Sequence, residues 1–419
     1  MLYLFLIFLI IFVTIKIHSL IVYKLVDFIK GKPFIYVLWY GLSLFAVGKS
    51  VLLGHTHIHN NYFVYKYNFL NVIHQHNLYT HQPEYYFDLN HYGPIFSLII
   101  APFALMPDSV GVVLWVMFNA WILLKAIQLL PIKQSQWLLI LLLCAHELMT
   151  SAANVQSNPL IAALILFSYV FIRNKQDFWA ALMITLGMFI KLYGVVGLAF
   201  FFFSDNKLKL IGWMAFWSVV LFVLPMFISS PAFIVQTYRD WYADLISKNA
   251  TNIVSIREDV SVMGMIRKMM FPNLLNIIVL IPAIVLFALS YIRTNYFGNL
   301  KYQLLIVSST LIFPVIFSTG SESPTYIIAF TGVALWYINV DKPTPWFDTA
   351  LLLFAFILTS LSPSDLFPRY LRINYVDPYA LKALPCFIIW IKIIYETLTR
   401  KFTLTQENLI PHNSSLVAA

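Results

Sequence analysis

The run "WMAFWSVVLFVLPMF", residues 213–227, carries no charge, and the basic stretch "DNKLK" (205–209) stands just before it. An apolar run of about 17–25 residues reads as a helix crossing a bilayer, because lipid offers no partner to an exposed backbone group. A basic loop beside such a run marks the cytoplasmic side. The same pairing recurs along the chain, in "MLYLFLIFLIIFV" (1–13) and in "LLNIIVLIPAIVLFAL" (274–289).

Composition agrees with that reading. The 419 residues are 60% hydrophobic and only 11% charged, and the mean hydropathy is +0.79. Soluble domains carry about 25% charged residues, so most of this surface must face something other than water. The net charge of +9 sits in short loops between apolar runs, which argues for membrane orientation and against a nucleic-acid partner. Cys144 and Cys386 are the only cysteines and lie in apolar stretches, so no disulfide framework or thiolate metal site is expected. The first segment lacks a basic leader region and reads as a retained helix.

The expected fold is an all-α polytopic membrane protein with roughly 11–13 spans. Spans are predicted near 3–21, 34–53, 109–130, 137–152, 157–172, 208–228, 276–293, 302–318, 326–340, 346–361 and 379–397. The run 177–203 is read as two short helices with Lys191 at an outer tip, which makes 94–106 re-entrant. Residues 1–397 form one membrane domain, and 398–419 form a cytoplasmic tail. The long polar connections 54–93, 229–275, 318–325 and 362–378 fall on the outer face.

Two of these loops carry helical patterns. In 60–76, Tyr62, Tyr65, Phe69, Val72 and Ile73 recur at helical spacing, as an interfacial helix requires. In 230–248, Ser230 suits a cap and Pro231 a first helical position, with Ile234, Tyr238, Trp241, Tyr242 and Leu245 on one face. Such helices would roof a cavity open to one leaflet.

Chemistry-bearing residues concentrate on the same side. The loop 54–93 holds seven of the ten histidines, and "HTHIH" (55–59) has a spacing conceivable for a metal, though no acidic partner lies close in sequence. In "HQPEYYFDLNHYGP" (81–94), Glu84 and Asp88 share a face if local helix persists, and either carboxylate suits removal of a proton from a hydroxyl. His91 and Tyr92 follow at once. Asn60 and Asn61 stand at the head of the first loop helix. In "NVQSN" (154–158), Asn154, Gln156 and Asn158 suit sugar hydroxyls, and Asn158 before Pro159 also suits a cap. Lys191 is the lone cation of its run, where an intramembrane charge usually marks function, here a lipid phosphate. Glu322 in "STGSESPTY" (318–326) is a third candidate base, with Tyr326 beside it. Arg239, Arg369 and Arg372 are candidates for phosphate pairing, with Arg257 and Arg267 also at hand.

These pieces together resemble glycosyltransferase family 87, polyprenol-phosphate-dependent mannosyltransferase-like enzymes of the GT-C superfamily. The resemblance lies in "NLYTHQPEYYFDLNHYGPIFSLIIAPFALMP" (77–107), "NVQSN", "MITLGMFIKLYG" (183–194) and "SESPTY" (321–326), and spans roughly 60–330. It implies a GT-C type bundle that moves a hexose, mannose first, from a polyprenyl-phosphate sugar to a glycan or glycolipid acceptor. The expected displacement is single and inverting, with a carboxylate base and no metal or other cofactor. The implied location is a bacterial inner membrane, with the site facing outward. Three departures stand out. The family's presumed Asp base falls on Asn61, counted back from Tyr79, its glycine before the glutamine is Val155, and its histidine near the later loop is replaced by the neighbourhood of Glu322 and Tyr326. A transporter or lipid-binding protein on the same scaffold is the competing class, although transporters favour polar breaks in mid-membrane over outer loops.

Overall fold

The computed structural model describes residues 31–52, 60–254 and 258–402. The predicted first span, the "HTHIH" triplet, Arg257 and most of the tail lie outside the described residues. Among those described, the chain is helical and holds no strand. Its first half runs α1 (Lys32–Leu52), α2 (Asn60–His74), α3 (Phe96–Ala104), α4 (Asp108–Gln128), α5 (Gln134–Ala153), α6 (Asn158–Arg173) and α7 (Asp177–Ile190). A 3₁₀ segment, Leu192–Phe203, precedes α8 (Lys207–Val223) and α9 (Pro231–Val254). The second half runs α10 (Val262–Met269), α11 (Asn276–Leu289), α12 (Leu300–Ile316), α13 (Tyr326–Ile338), α14 (Trp346–Ala355) and α15 (Ala383–Thr399).

Burial explains why these runs differ in composition. Helix α13 is apolar on nearly every face and nearly all of it is buried, the expected pattern for a central helix. It packs against α12, α5 and α6. Two buried indoles find partners across helices: Trp39 donates to Ala120 O at 2.9 Å, and Trp390 to Ser309 Oγ at 2.9 Å. At the periphery, α11 buries only Ala283, and α8 buries only Leu210 and Leu221. Among the described residues, three helical stretches, Asp108–Gln128, Gln134–Ala153 and Lys207–Phe227, are long and apolar enough to cross a membrane by length and composition.

The predicted boundaries mostly fall within a few residues of the helices. The 177–203 run does break at Lys191. Helix α7 packs on the 3₁₀ segment after it, with Gly187 and Gly194 in backbone contact on either side of the turn. Helix α3 has nine residues; at about 1.5 Å per residue it is far short of the ~30 Å of a bilayer core.

Three local expectations are corrected. Residues 81–91 form turns and no helix, so Glu84 and Asp88 do not share a helical face. In α2, Tyr62, Tyr65, Phe69 and Val72 are buried as expected, but Ile73 points outward. In α9, Ile234 and Trp241 are buried while Tyr242 is exposed. Ser230 does cap α9, its Oγ accepting from Phe233 N at 3.3 Å.

Candidate active site

The site begins at Gly93. A Cβ there would lie 2.0 Å from Phe189 O, so only glycine lets this loop rest on the end of α7. Gly93 N donates to Ile190 O at 3.2 Å. The next residue, Lys191, is extended and separates α7 from the 3₁₀ segment. Its ammonium donates to Asn158 Oδ1 at 3.2 Å and sits 4.8 Å from the centre of the Tyr193 ring. Asn158 Nδ2 donates to Pro324 O at 3.2 Å, and Tyr193 OH to Ser318 Oγ at 2.9 Å. The break at Lys191 is thereby latched to the loop 318–325, which brings Glu322 to the same place.

Helix α9 closes the other side. Trp241 Nε1 donates to His91 O at 3.0 Å, and Asp244 Oδ2 lies 2.8 Å from His91 Nδ1. Asn77 Nδ2 donates to Asp240 Oδ2 at 3.1 Å, and farther along Thr319 Oγ1 donates to Asn249 Oδ1 at 2.7 Å. One face of α9 thus spans from the first loop to the 318–325 loop. Below it, Tyr92 OH bonds Ser157 Oγ (2.9 Å) and Tyr65 OH (3.1 Å), fixing the loop to α2 and α6. Tyr92 is therefore buried in the wall.

Between these parts lies a cavity of about 360 Å³. Asp88, Glu322, Lys191 and Lys248 supply its charges. Asn61, Gln156, His91 and Tyr92 supply hydroxyl-binding groups. Asn61 Nδ2 donates to Asn154 O at 2.8 Å, which sets the amide at the cavity edge. Gln156 is delivered by the end of α5, where Val155 adopts φ +51° and Gln156 N donates to Ser151 O at 3.0 Å. Burial raises the pKa of Glu322 above the usual carboxylate range; Lys191 and then Lys248 oppose the shift, and Asp88 and Glu258 add to it. Asp88 is exposed and its Oδ1 accepts from Leu89 N at 2.8 Å.

Other predicted site residues fall elsewhere. Glu84 and Asn60 line a separate depression with Lys66 and Asp108, where Asn60 Oδ1 accepts from Phe87 N at 2.7 Å. Asn154 donates to Thr150 O and does not line the cavity with Gln156. Asn158 makes no capping bond and instead holds Lys191. Tyr326 is buried, its hydroxyl donating to Val260 O at 2.6 Å. Arg239 and Arg369 are exposed, Arg372 donates to Pro363 O at 3.1 Å, and Arg267 pairs with buried Asp259. None of these arginines lines the cavity. Lys248, Asn249, Asn252 and Asp244 were missed. Continuing the α9 stripe past Leu245 by three or four residues, then by seven, reaches Lys248, Asn249 and Asn252. Among the described residues, no cluster of three His, Cys, Asp or Glu could hold a metal.

Sequence comparison adds a family. The sequence pattern of glycosyltransferase family 87 matches residues 90–317, more than half of the chain and ten of the twenty residues that line the cavity. No curated protein matches the chain.

Proposed function

The chain belongs to glycosyltransferase family 87, and on that premise we propose that it moves a hexose, mannose first, from a polyprenyl-phosphate donor to a lipid or glycan acceptor. The observation that carries this reading is the convergence of Lys191 and Lys248 with Asp88, Gln156 and His91 on one cavity. Two ammonium groups suit a phosphodiester that becomes a more charged monoester as the sugar departs. Charge developing in the transition state is where fixed cations accelerate a reaction most. Lys191 is held for that task by Asn158 and Tyr193 rather than by a carboxylate salt bridge.

The sugar leaves with inversion when the acceptor hydroxyl attacks from the face opposite the phosphate. Its proton ends on a carboxylate of the cavity. Asp88 takes that role before Glu322, because Glu322 is held under the influence of Lys191 and Lys248 while Asp88 opens to water. Asn61 and Gln156 orient sugar hydroxyls.

The outside of the bundle supports a membrane location. Only 17% of the apolar window in Lys207–Phe227 is buried, and Ile277, Ile278, Ile281, Ile284 and Val285 on α11 are exposed. A surface of that kind in water would be an aggregation site, whereas in lipid it is ordinary. The protein is a polytopic membrane enzyme on this reading, with the cavity at the non-cytoplasmic face where a lipid-phosphate sugar is presented.

The test incubates purified protein in lipid nanodiscs with polyprenyl phosphates bearing radiolabelled mannose, glucose or galactose and a total lipid extract as acceptor. Label moving into new lipid or glycan products is expected from wild type. Asp88→Asn is expected to slow it about 10²-fold or more, the range of a lost acid–base group. Absence of transfer from every lipid-phosphate sugar overturns the reading.

A further inference from the structure

His91 stands apart from the other cavity residues because one side of its ring is fully engaged and the other is not. Nδ1 lies 2.8 Å from Asp244 Oδ2, and the Asp244 side chain is only 6% exposed. An ionised carboxylate accepts hydrogen bonds only, so Nδ1 must carry the proton of the neutral ring. That leaves the lone pair on Nε2. Nε2 is buried and has no hydrogen-bond partner among the described residues, and His91 is one of the residues that line the cavity. Buried ring nitrogens are nearly always satisfied, and an orphan beside a substrate cavity points to a group that arrives with the substrate. The ring is also fixed in place: Trp241 holds the His91 carbonyl, and Gly93 presses the loop against α7.

We propose that His91, oriented by Asp244, is the first acceptor of the proton from the attacking hydroxyl. This rests on the transferase reading and names the group that touches the acceptor within it. The O–H bond breaks and its proton forms a bond to Nε2. The freed oxygen pair forms the new bond to the anomeric carbon. The bond from that carbon to the phosphate oxygen breaks, and its electron pair stays on the phosphate beside Lys191 and Lys248. Asp244 stabilises the imidazolium, as an aspartate behind a catalytic histidine does. The imidazolium then returns its proton through water at the rim to Asp88, three residues back along the chain, the carboxylate on which it ends. A chain with Asn61 in place of a base needs such a substitute, and the pair is built from two elements far apart in sequence.

The test compares wild type, His91→Ala and Asp244→Asn in the lipid-phosphate sugar assay, with binding of the unlabelled polyprenyl phosphate measured in parallel. Asn at position 244 donates to Nδ1, moves the ring proton to Nε2 and removes the lone pair. Both variants are expected to lose about 10²–10⁴-fold in turnover while binding the lipid phosphate as wild type does. Added imidazole is expected to restore part of the His91→Ala rate and none of the Asp244→Asn rate. Turnover within threefold of wild type in either variant overturns the proposal, as does a donor-binding His91→Ala protein that imidazole fails to rescue. If wild type itself transfers nothing, the transferase reading falls first and the two failures are told apart.

Discussion

Replacing Gly93 by Ala tests whether the close approach of the first loop to α7 organises the site. The added Cβ would meet Phe189 O at 2.0 Å and the Trp241 ring at 3.0 Å. An ordinary carbon–oxygen contact is about 3.3 Å or more, so the loop and the end of α7 must separate by about 1.3 Å. Phe189 O is backbone and cannot swing aside. The groups forced apart are the neighbours on each side, His91 with Tyr92 on the loop and Lys191 after Ile190. A misplacement of about 1 Å between reacting groups costs roughly 10²-fold in rate, and overpacking of this kind costs about 1–3 kcal/mol in stability. The assay is transfer from the lipid-phosphate sugar, normalised to monodisperse protein, alongside thermal unfolding. Gly41→Ala is the matched control, because a Cβ there meets nothing within 4 Å. It is expected to leave the rate unchanged and to raise stability by about 0.5–1 kcal/mol, the usual gain at a helix interior. Turnover of Gly93→Ala within threefold of wild type, with unchanged unfolding, would refute the reasoning.

Lys191→Met and Lys248→Met are each expected to weaken donor use, raising KM or lowering kcat/KM by about tenfold to a hundredfold, the worth of one charge-assisted hydrogen bond; a titration with the phosphorylated lipid against its unphosphorylated alcohol should show the loss only for the phosphate. Lys382 donates to Glu147 Oε1 at 3.0 Å and to Ser323 Oγ at 3.0 Å, with both charged side chains nearly fully buried. Lys382→Met alone should destabilise by about 3–5 kcal/mol in thermal unfolding, and Lys382→Met with Glu147→Leu should recover most of it, since the cost lies in the stranded charge. For Glu322, a raised folded pKa means that the protonated form is favoured by folding. Its contribution is full below the unfolded value of about 4.3 and is lost as pH rises through the folded one. The Tm advantage of Glu322→Gln over wild type should therefore be largest near neutral pH and close on acidification; a gap independent of pH would contradict this.

What the sequence made legible follows the range of the interactions involved. Helix limits were readable because hydropathy is a local property, and the break at Lys191 was readable because one cation interrupts an apolar run between two glycines. The grouping of Glu84 with Asp88 failed for a tertiary reason. Phe87 N bonds Asn60 and Tyr86 is buried, so contacts with α2 hold 81–90 in turns. Arg239, Arg369 and Arg372 do not line the cavity, because arginines look alike in sequence while only packing decides which reach it. Asp244 escaped notice because its partner is 153 residues away. Its signal, a carboxylate three residues after the buried Trp241, has meaning only once α9 is docked on His91.

Two of the departures from the resembled family pattern, Val155 and Asn61, have different weight in the structure. Where the family carries glycine, Val155 adopts φ +51°, and the bonds Val155 N to Ala152 O and Gln156 N to Ser151 O form a left-handed helix stop. Glycine is favoured at that point for conformational reasons, and a β-branched residue there costs about 1–3 kcal/mol of backbone strain. The backbone path is kept all the same: Gln156 reaches the cavity, Ser157 bonds Tyr92, and Val155 offsets part of its strain by being fully buried. That substitution bears on stability and keeps Gln156 at the cavity. Asn61 is the opposite case, since its amide sits at the cavity edge in good order yet cannot take a proton at neutral pH. A fold retained at cost around Val155 argues that the site is still in use, and a site in use without its expected carboxylate must draw its proton acceptor from the residues that remain. Among those lining the cavity, His91 alone pairs a buried, unpartnered lone pair with a carboxylate fixed behind it.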